Sequence, residues 1–200
     1  LSEAEQKPDA KIEDLRARTR ELQTKLLDSY DPAKADALMA RLAKNRTWVV
    51  PTLIFSQSFR PLGPQDLGQD LPLQYVPAAT RQRWEERRKK YVESMPPEVF
   101  ALTRRVAEKS LALAGALQRA GVPLMAGTDS FDGFDISGFS LHQELELLVK
   151  AGLKPMEALQ TATVNPVRFL GKERDLGAVE PGKLADLVLL DADPLEDIRN

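Results

Sequence analysis

Apolar and polar positions alternate with a helical period at the start of the chain. In "DAKIEDLRARTRELQTKLLD", residues 9–28, Ile12, Leu15, Leu22, Leu26 and Leu27 recur at roughly helical spacing with charges between them. Asp31-Pro32 opens a second helix running to about Lys44, with Pro32 in its first turn. The period then changes. "TWVVPTLIF" is rich in β-branched and aromatic residues and predicts a buried strand ending near Pro51. Residues 56–77 hold Pro61, Pro64, Pro72, Pro77, Gly63 and Gly68 without periodicity, the mark of a long loop of the lid or binding kind.

Helical spacing returns over residues 78–93 and 97–120, the second helix closing at Gly121. A short apolar run, residues 122–126, predicts another strand, and it ends in Gly127-Thr128-Asp129. "SLHQELELLVKAG" and "KPMEALQTAT" predict two more helices, and Asn165-Pro166 begins a short third one ending at Gly171. Pro181-Gly182 marks a turn before a strand at residues 185–190. Two strands, each followed by helices, and a terminal β element predict an α/β class with a parallel pairing. Two parallel strands cannot close a barrel or cover their own edges, so the chain is expected to be part of something larger.

Composition narrows the chemistry. The chain has 200 residues, enough for one ordinary core. Hydrophobic content of 42% and charged content of 29% fit a folded globular chain. A net charge of −2 gives no general attraction to nucleic acid or to anionic membranes, and no apolar run reaches the roughly 18 residues of a membrane span. The basic stretch "RQRWEERRKK" reads as a solvated helix face, because no wider basic patch supports it. There is no cysteine, which removes disulfides and thiolate metal sites. With His142 as the only histidine, the chain is poorly supplied for a three-ligand zinc site of its own.

Candidate site residues follow from position. Asp129 directly ends a strand, where a carboxylate either caps a turn or faces a reaction. His142 stands at the start of a helix; it either bonds local backbone or solvent, or reaches substrate, or, third, ligates a metal. Asp132 and Asp135 read as loop residues, with substrate contact the other reading, and Thr128 as strand-end structure able to orient Asp129. Phe55, Phe59 and Tyr75, on the loop after the first strand, serve either loop packing or a substrate pocket. Trp48 and Trp84 read as packing residues, Asn165 as the cap of the helix begun by Pro166, and Asp186 as structural.

Three stretches, "GVPLMAGTDS", "LHQELELLVKAGLKPMEALQTATVNPVRFLG" and "LGAVEPGKLADLVLLDADPLEDI", together resemble the C-terminal portion of amidohydrolase superfamily enzymes, in the imidazolonepropionase-like and prolidase-like branch. "TWVVPTL" is similar to the strand-7 region of that branch, and the likeness covers roughly residues 40–200. It implies the C-terminal part of a (β/α)8 TIM-type barrel, with strand 7 at residues 47–52 and strand 8 at 122–126, and a strand of the small composite β-sandwich at 186–190. The division implied is residues 1–175 for the partial barrel and 176–200 for the sandwich.

The same resemblance implies a metal-dependent hydrolase of C–N bonds, in an amide, a dipeptide or a cyclic amide, that uses metal-activated water. One or two divalent metals, commonly zinc, would be held by a His-x-His pair from strand 1, histidines from strands 5 and 6, often a carboxylated lysine from strand 4, and the strand-8 aspartate. Only that aspartate, Asp129, falls in this sequence. The site is therefore expected to be incomplete here and the chain inactive alone. Its partners would be a small-molecule or dipeptide-like substrate and the N-terminal remainder of the same enzyme, with self-association left open. The alternatives are a heterocycle deaminase on the same barrel and a non-catalytic helical module that binds or assembles with another protein.

Overall fold

A computed structural model describes residues 8–58, 73–130 and 136–200. The helices lie where the periodicity and the Pro and Gly punctuation put them: α1 Pro8–Asp28, α2 Pro32–Lys44, α4 Ala78–Ser94, α5 Pro97–Arg119, α6 Phe139–Lys150, α7 Pro155–Ala162 and α8 Val164–Leu170. The Asp31 side chain caps α2 by accepting from Lys34 N at 3.2 Å, and Pro32 fills the first turn, where its missing N–H costs nothing. The short α3, Leu53–Ser58, lies where the sequence predicted strand and then loop; a 3-10 turn at Leu73–Tyr75 precedes α4.

The core forms where α3, α5, α6 and α7 meet. Leu53 and Ile54 of α3, Ala114 of α5, Leu145 and Leu148 of α6, and Ala158 of α7 are buried around Val122 and Leu124. Burying each such aliphatic side chain stabilises by about 1.5–3 kcal/mol. Gly115 lets α5 approach the end of α6 closely, for a Cβ there would collide with the backbone carbonyl of Ala151. α1 rests on α5, joined by Arg105 Nη2 to Asp28 Oδ1 at 2.6 Å and by the Lys109 ammonium 3.7 Å above the Tyr30 ring.

The two central strands are reduced to one parallel bridge between Val49 and Leu124 among the described residues. Val49 N donates to Pro123 O and Met125 N donates to Val49 O, each at 3.0 Å. The ladder goes no further for local reasons. Pro51 and Pro123 have no N–H to give, and Thr52 turns into the left-handed region at φ 50° before α3 begins. On the far side of residues 122–126, polar groups from the helices take the place of a third strand. Asn165 Nδ2 donates to Leu124 O at 2.8 Å, and Ala126 N donates to Thr161 O at 2.9 Å. Asn165 is thus not a cap: it lies inside α8 and its amide serves the bridged segment.

The terminal segment differs from expectation in the same way. Residues 185–190 form no strand and no ladder, and Leu187, Val188 and Leu189 stand exposed, Leu189 at 98%. A strand without a neighbour has no ladder to join. No described helix is long and apolar enough to cross a membrane.

Candidate functional site

Both bridged segments end in a residue with left-handed backbone, Thr52 at φ 50° and Asp129 at φ 51°. Aspartate tolerates this region better than most side chains because its short carboxylate can bond locally. Asp129 is exposed at the end of the second segment. Next to it in sequence, hydroxyl groups bond to one another. Ser130 Oγ donates to Thr128 Oγ1 at 2.7 Å and lies 2.8 Å from Ser140 Oγ, which donates to Ile136 O at 3.0 Å. Ser140, fully buried in the first turn of α6, therefore links the two flanks of the loop after Asp129.

The corresponding turn after the first segment is held by a carboxylate that the sequence reading did not single out. Glu144 of α6 is fully buried and accepts from Leu53 N at 3.0 Å and Ile54 N at 2.7 Å, the first amides of α3. Those amides have no partner within the helix, so a buried anion facing them satisfies both. The available signal was an acid in the apolar stripe that Leu145, Leu147 and Leu148 form on α6.

A cavity of about 720 Å³ opens beside this loop. Ser130, the residue after Asp129, lines one side; Tyr75, Thr80, Arg83, Trp84 and Arg87 line the other. Tyr75 stacks on Phe139 of α6, ring centroids 5.3 Å apart at 23°. The sequence-named Tyr75 is thus brought to the same opening as the Asp129 loop, together with Trp84, which had been read as a packing residue. The basic stretch is solvated as expected, yet its Arg83, Trp84 and Arg87, with Thr80 just before it, also form the cavity wall. His142 is exposed on α6 and does not line this cavity. Phe55 is half-buried in α3, while Phe59, Asp132 and Asp135 lie outside the described residues. Trp48 packs edge-on against Phe169 at 6.0 Å.

A metal finds little to hold it here. Among the described residues no three His, Asp or Glu side chains converge, and the described lining of the cavity carries hydroxyls and guanidinium groups but no carboxylate. The donor set of the described residues does not make a complete metal site.

The sequence pattern of the amidohydrolase family matches residues 74–200. The chain is 39% identical over 71 residues to adenine deaminase 3 of Rhizobium meliloti (strain 1021), across 34% of this chain and 12% of that protein. It is 34% identical over 110 residues to the ochratoxinase of Aspergillus niger, across 54% of this chain and 22% of that one. Two solved structures share the fold at 25% identity: an amidohydrolase with TM-score 0.55, covering 82% of this chain and 32% of that one, and a Xaa-Pro dipeptidase with methionine bound in its active site, with TM-score 0.53, covering 80% and 32%. The chain spans 12% to 32% of the length of these relatives.

Proposed function

The chain belongs to the amidohydrolase family, and on that premise we propose that it contributes strands 7 and 8 of a TIM-type barrel to a hydrolase of C–N bonds in amide or dipeptide-like substrates. In this reading residues 1–175 are barrel and 176–200 belong to the small sandwich, and the remaining barrel strands come from chain outside these residues. The likeness to the Xaa-Pro dipeptidase over 80% of the chain supports it, as does the parallel Val49–Leu124 bridge. The observation that carries it is the position of Asp129, an exposed carboxylate at the end of the bridged segment and next in sequence to a cavity-lining residue.

Asp129 is the catalytic residue. Its carboxylate takes a proton from the attacking water as oxygen bonds to the carbonyl carbon, and returns it to the nitrogen as the C–N bond breaks. Divalent metals serve the family generally, zinc being the ion expected, and such an ion makes a bound water acidic enough to attack near neutral pH. Asp129 would be the single ligand from this chain. Tyr75 contributes a wall of the substrate pocket, Phe59 on the same loop is a further contact, and His142, which does not line the described cavity, would meet only a substrate that extends beyond it. Residues 1–200 alone would be inactive.

A second reading, heterocycle deamination, is favoured by the identity to adenine deaminases over residues of this same chain. The test assays the full-length protein against Xaa-Pro dipeptides, N-acetyl amino acids and adenine. Amide hydrolysis that falls by about 100-fold or more in Asp129→Asn is the expected result. Ammonia release from adenine with no amide turnover would replace the hydrolase reading with the deaminase one, and no turnover of either would favour a non-catalytic module.

A further inference from the structure

A second cavity opens at the other end of the bridged pair. It measures about 710 Å³ and lies where the two segments begin, against Trp48 on one and Pro123 and Leu124 on the other. Arg46 and Arg168 line it, with the side-chain amides of Gln118 and Asn165. The described lining holds no carboxylate, and neither guanidinium has an ion pair or a side-chain hydrogen bond among the described residues. The Asn165 amide bonds Leu124 O, which fixes α8 at the opening and puts Arg168, one turn on, on the same face. Arg46 occupies a backbone position that other helices give to glycine. Helices α5, α6 and α8 close on left-handed Gly121, Gly152 and Gly171, each followed by an N–H bonded to the carbonyl five residues earlier. The end of α2 makes the same bonds, Arg46 N to Ala43 O at 3.0 Å and Thr47 N to Leu42 O at 2.9 Å, yet holds an arginine at φ 52°. Glycine would suit that turn better, so the turn does not account for the side chain.

Two guanidinium groups carry the charge that balances a phosphate dianion, and each fork matches two of its oxygens. A single carboxylate would leave one of them unmatched. We propose that this cavity binds a phosphate group between Arg46 and Arg168, with the Trp48 indole beside it as a surface for a flat organic moiety. The edge contact with Phe169, ring centroids 6.0 Å apart, holds the indole in place. The site lies at the opposite end of the bridged segments from Asp129, so it does not depend on which C–N bond the enzyme cleaves. Its ligand joins the end of α2 to α8 and stabilises the folded protein when bound.

The test titrates phenyl phosphate, inorganic phosphate and benzoate calorimetrically into the full-length protein in phosphate-free buffer. Phenyl phosphate is expected to bind about 10-fold tighter than benzoate. Inorganic phosphate equal to phenyl phosphate identifies the free ion as the ligand, and weaker inorganic phosphate identifies an ester whose flat group meets Trp48; both support the site. Arg168→Gln should weaken phenyl phosphate by about 10-fold. Arg46→Gly separates binding from folding, because glycine suits the left-handed turn. The thermal midpoint of the free protein should hold or rise in this variant while phenyl phosphate affinity falls by about 10-fold. A lower midpoint with unchanged affinity would make Arg46 a structural residue and overturn the inference. So would benzoate binding as tightly as phenyl phosphate. Absence of phosphate binding by the full-length protein would overturn it too, leaving the two arginines to carboxylates from chain outside these residues.

Discussion

Glu144 and Ile54 are 90 residues apart in sequence, yet the buried carboxylate accepts the Ile54 amide at 2.7 Å and the neighbouring Leu53 amide at 3.0 Å. One side chain on α6 thereby holds the turn at Thr52 and the start of α3. Glu144→Ala would leave two buried N–H groups unpaired, at a cost of about 2–5 kcal/mol. Urea unfolding measures this as a lower midpoint, and a change below about 1 kcal/mol would show that water replaces the carboxylate.

Gly127 and Val50 touch across the bridged pair. A Cβ on Gly127 would lie 2.5 Å from Val50 Cγ1, so Gly127→Ala should destabilise by about 1–3 kcal/mol through overpacking. Val50→Ala in the same protein should recover most of that loss, because Val50 supplies the clashing atom. A double-mutant cycle with coupling near zero would contradict the contact.

Asp129 sits at φ 51°, which asparagine also accepts. Asp129→Asn should therefore leave the thermal midpoint nearly unchanged while removing the proton acceptor. Asp129→Val, with a branched side chain in the same backbone region, should cost about 1–2 kcal/mol. A large fall in melting temperature for the asparagine variant would recast Asp129 as a structural turn residue.

The surface pair Asp197–Arg199 sets a titration. The Arg199 side chain, followed by its backbone N–H, bonds the Asp197 carboxylate and holds its pKa down from 3.8 to about 2. Since the folded value is the lower one, the pair's contribution is complete above 3.8 and fades as pH falls through about 2. Carbon-13 NMR of the carboxyl group should show the low midpoint, and Arg199→Gln should move it back toward 3.8. The pair lies at the surface, so global stability should scarcely follow.

Zinc retention probes the donor set. After incubation with excess zinc and desalting, residues 1–200 should keep well below one ion per chain, because no three donors converge among the described residues. About one ion per chain, lost in Asp129→Asn, would mean that donors combine in a way the described residues do not show.

The sequence alone determined the helices other than α3, and the place of Asp129 in the chain. Helix signals are local: apolar spacing near 3.6, Asp31-Pro32 and Pro155 at starts, Gly121 and Gly152 at ends, each read within a few residues. The run into Thr128-Asp129 was equally local, as were the motifs that carried the family resemblance. Tertiary structure decided what joins distant segments. The sequence placed a carboxylate at position 144, but only folding set it against the start of α3. It placed Asn165 beside Pro166, which suggested a cap, while the partner turned out to be the Leu124 carbonyl 41 residues back. It offered TWVVPTLIF as strand, and a proline without a donor and a left-handed Thr52 cut the pairing to one bridge and let α3 begin. Arg83 and Arg87 read as a solvated face, because a helix pattern tells which residues share a face and not what lies opposite it. Short-range periodicity is written in neighbouring residues, whereas a cavity wall or a buried hydrogen-bond partner exists only once segments far apart in the chain have packed together.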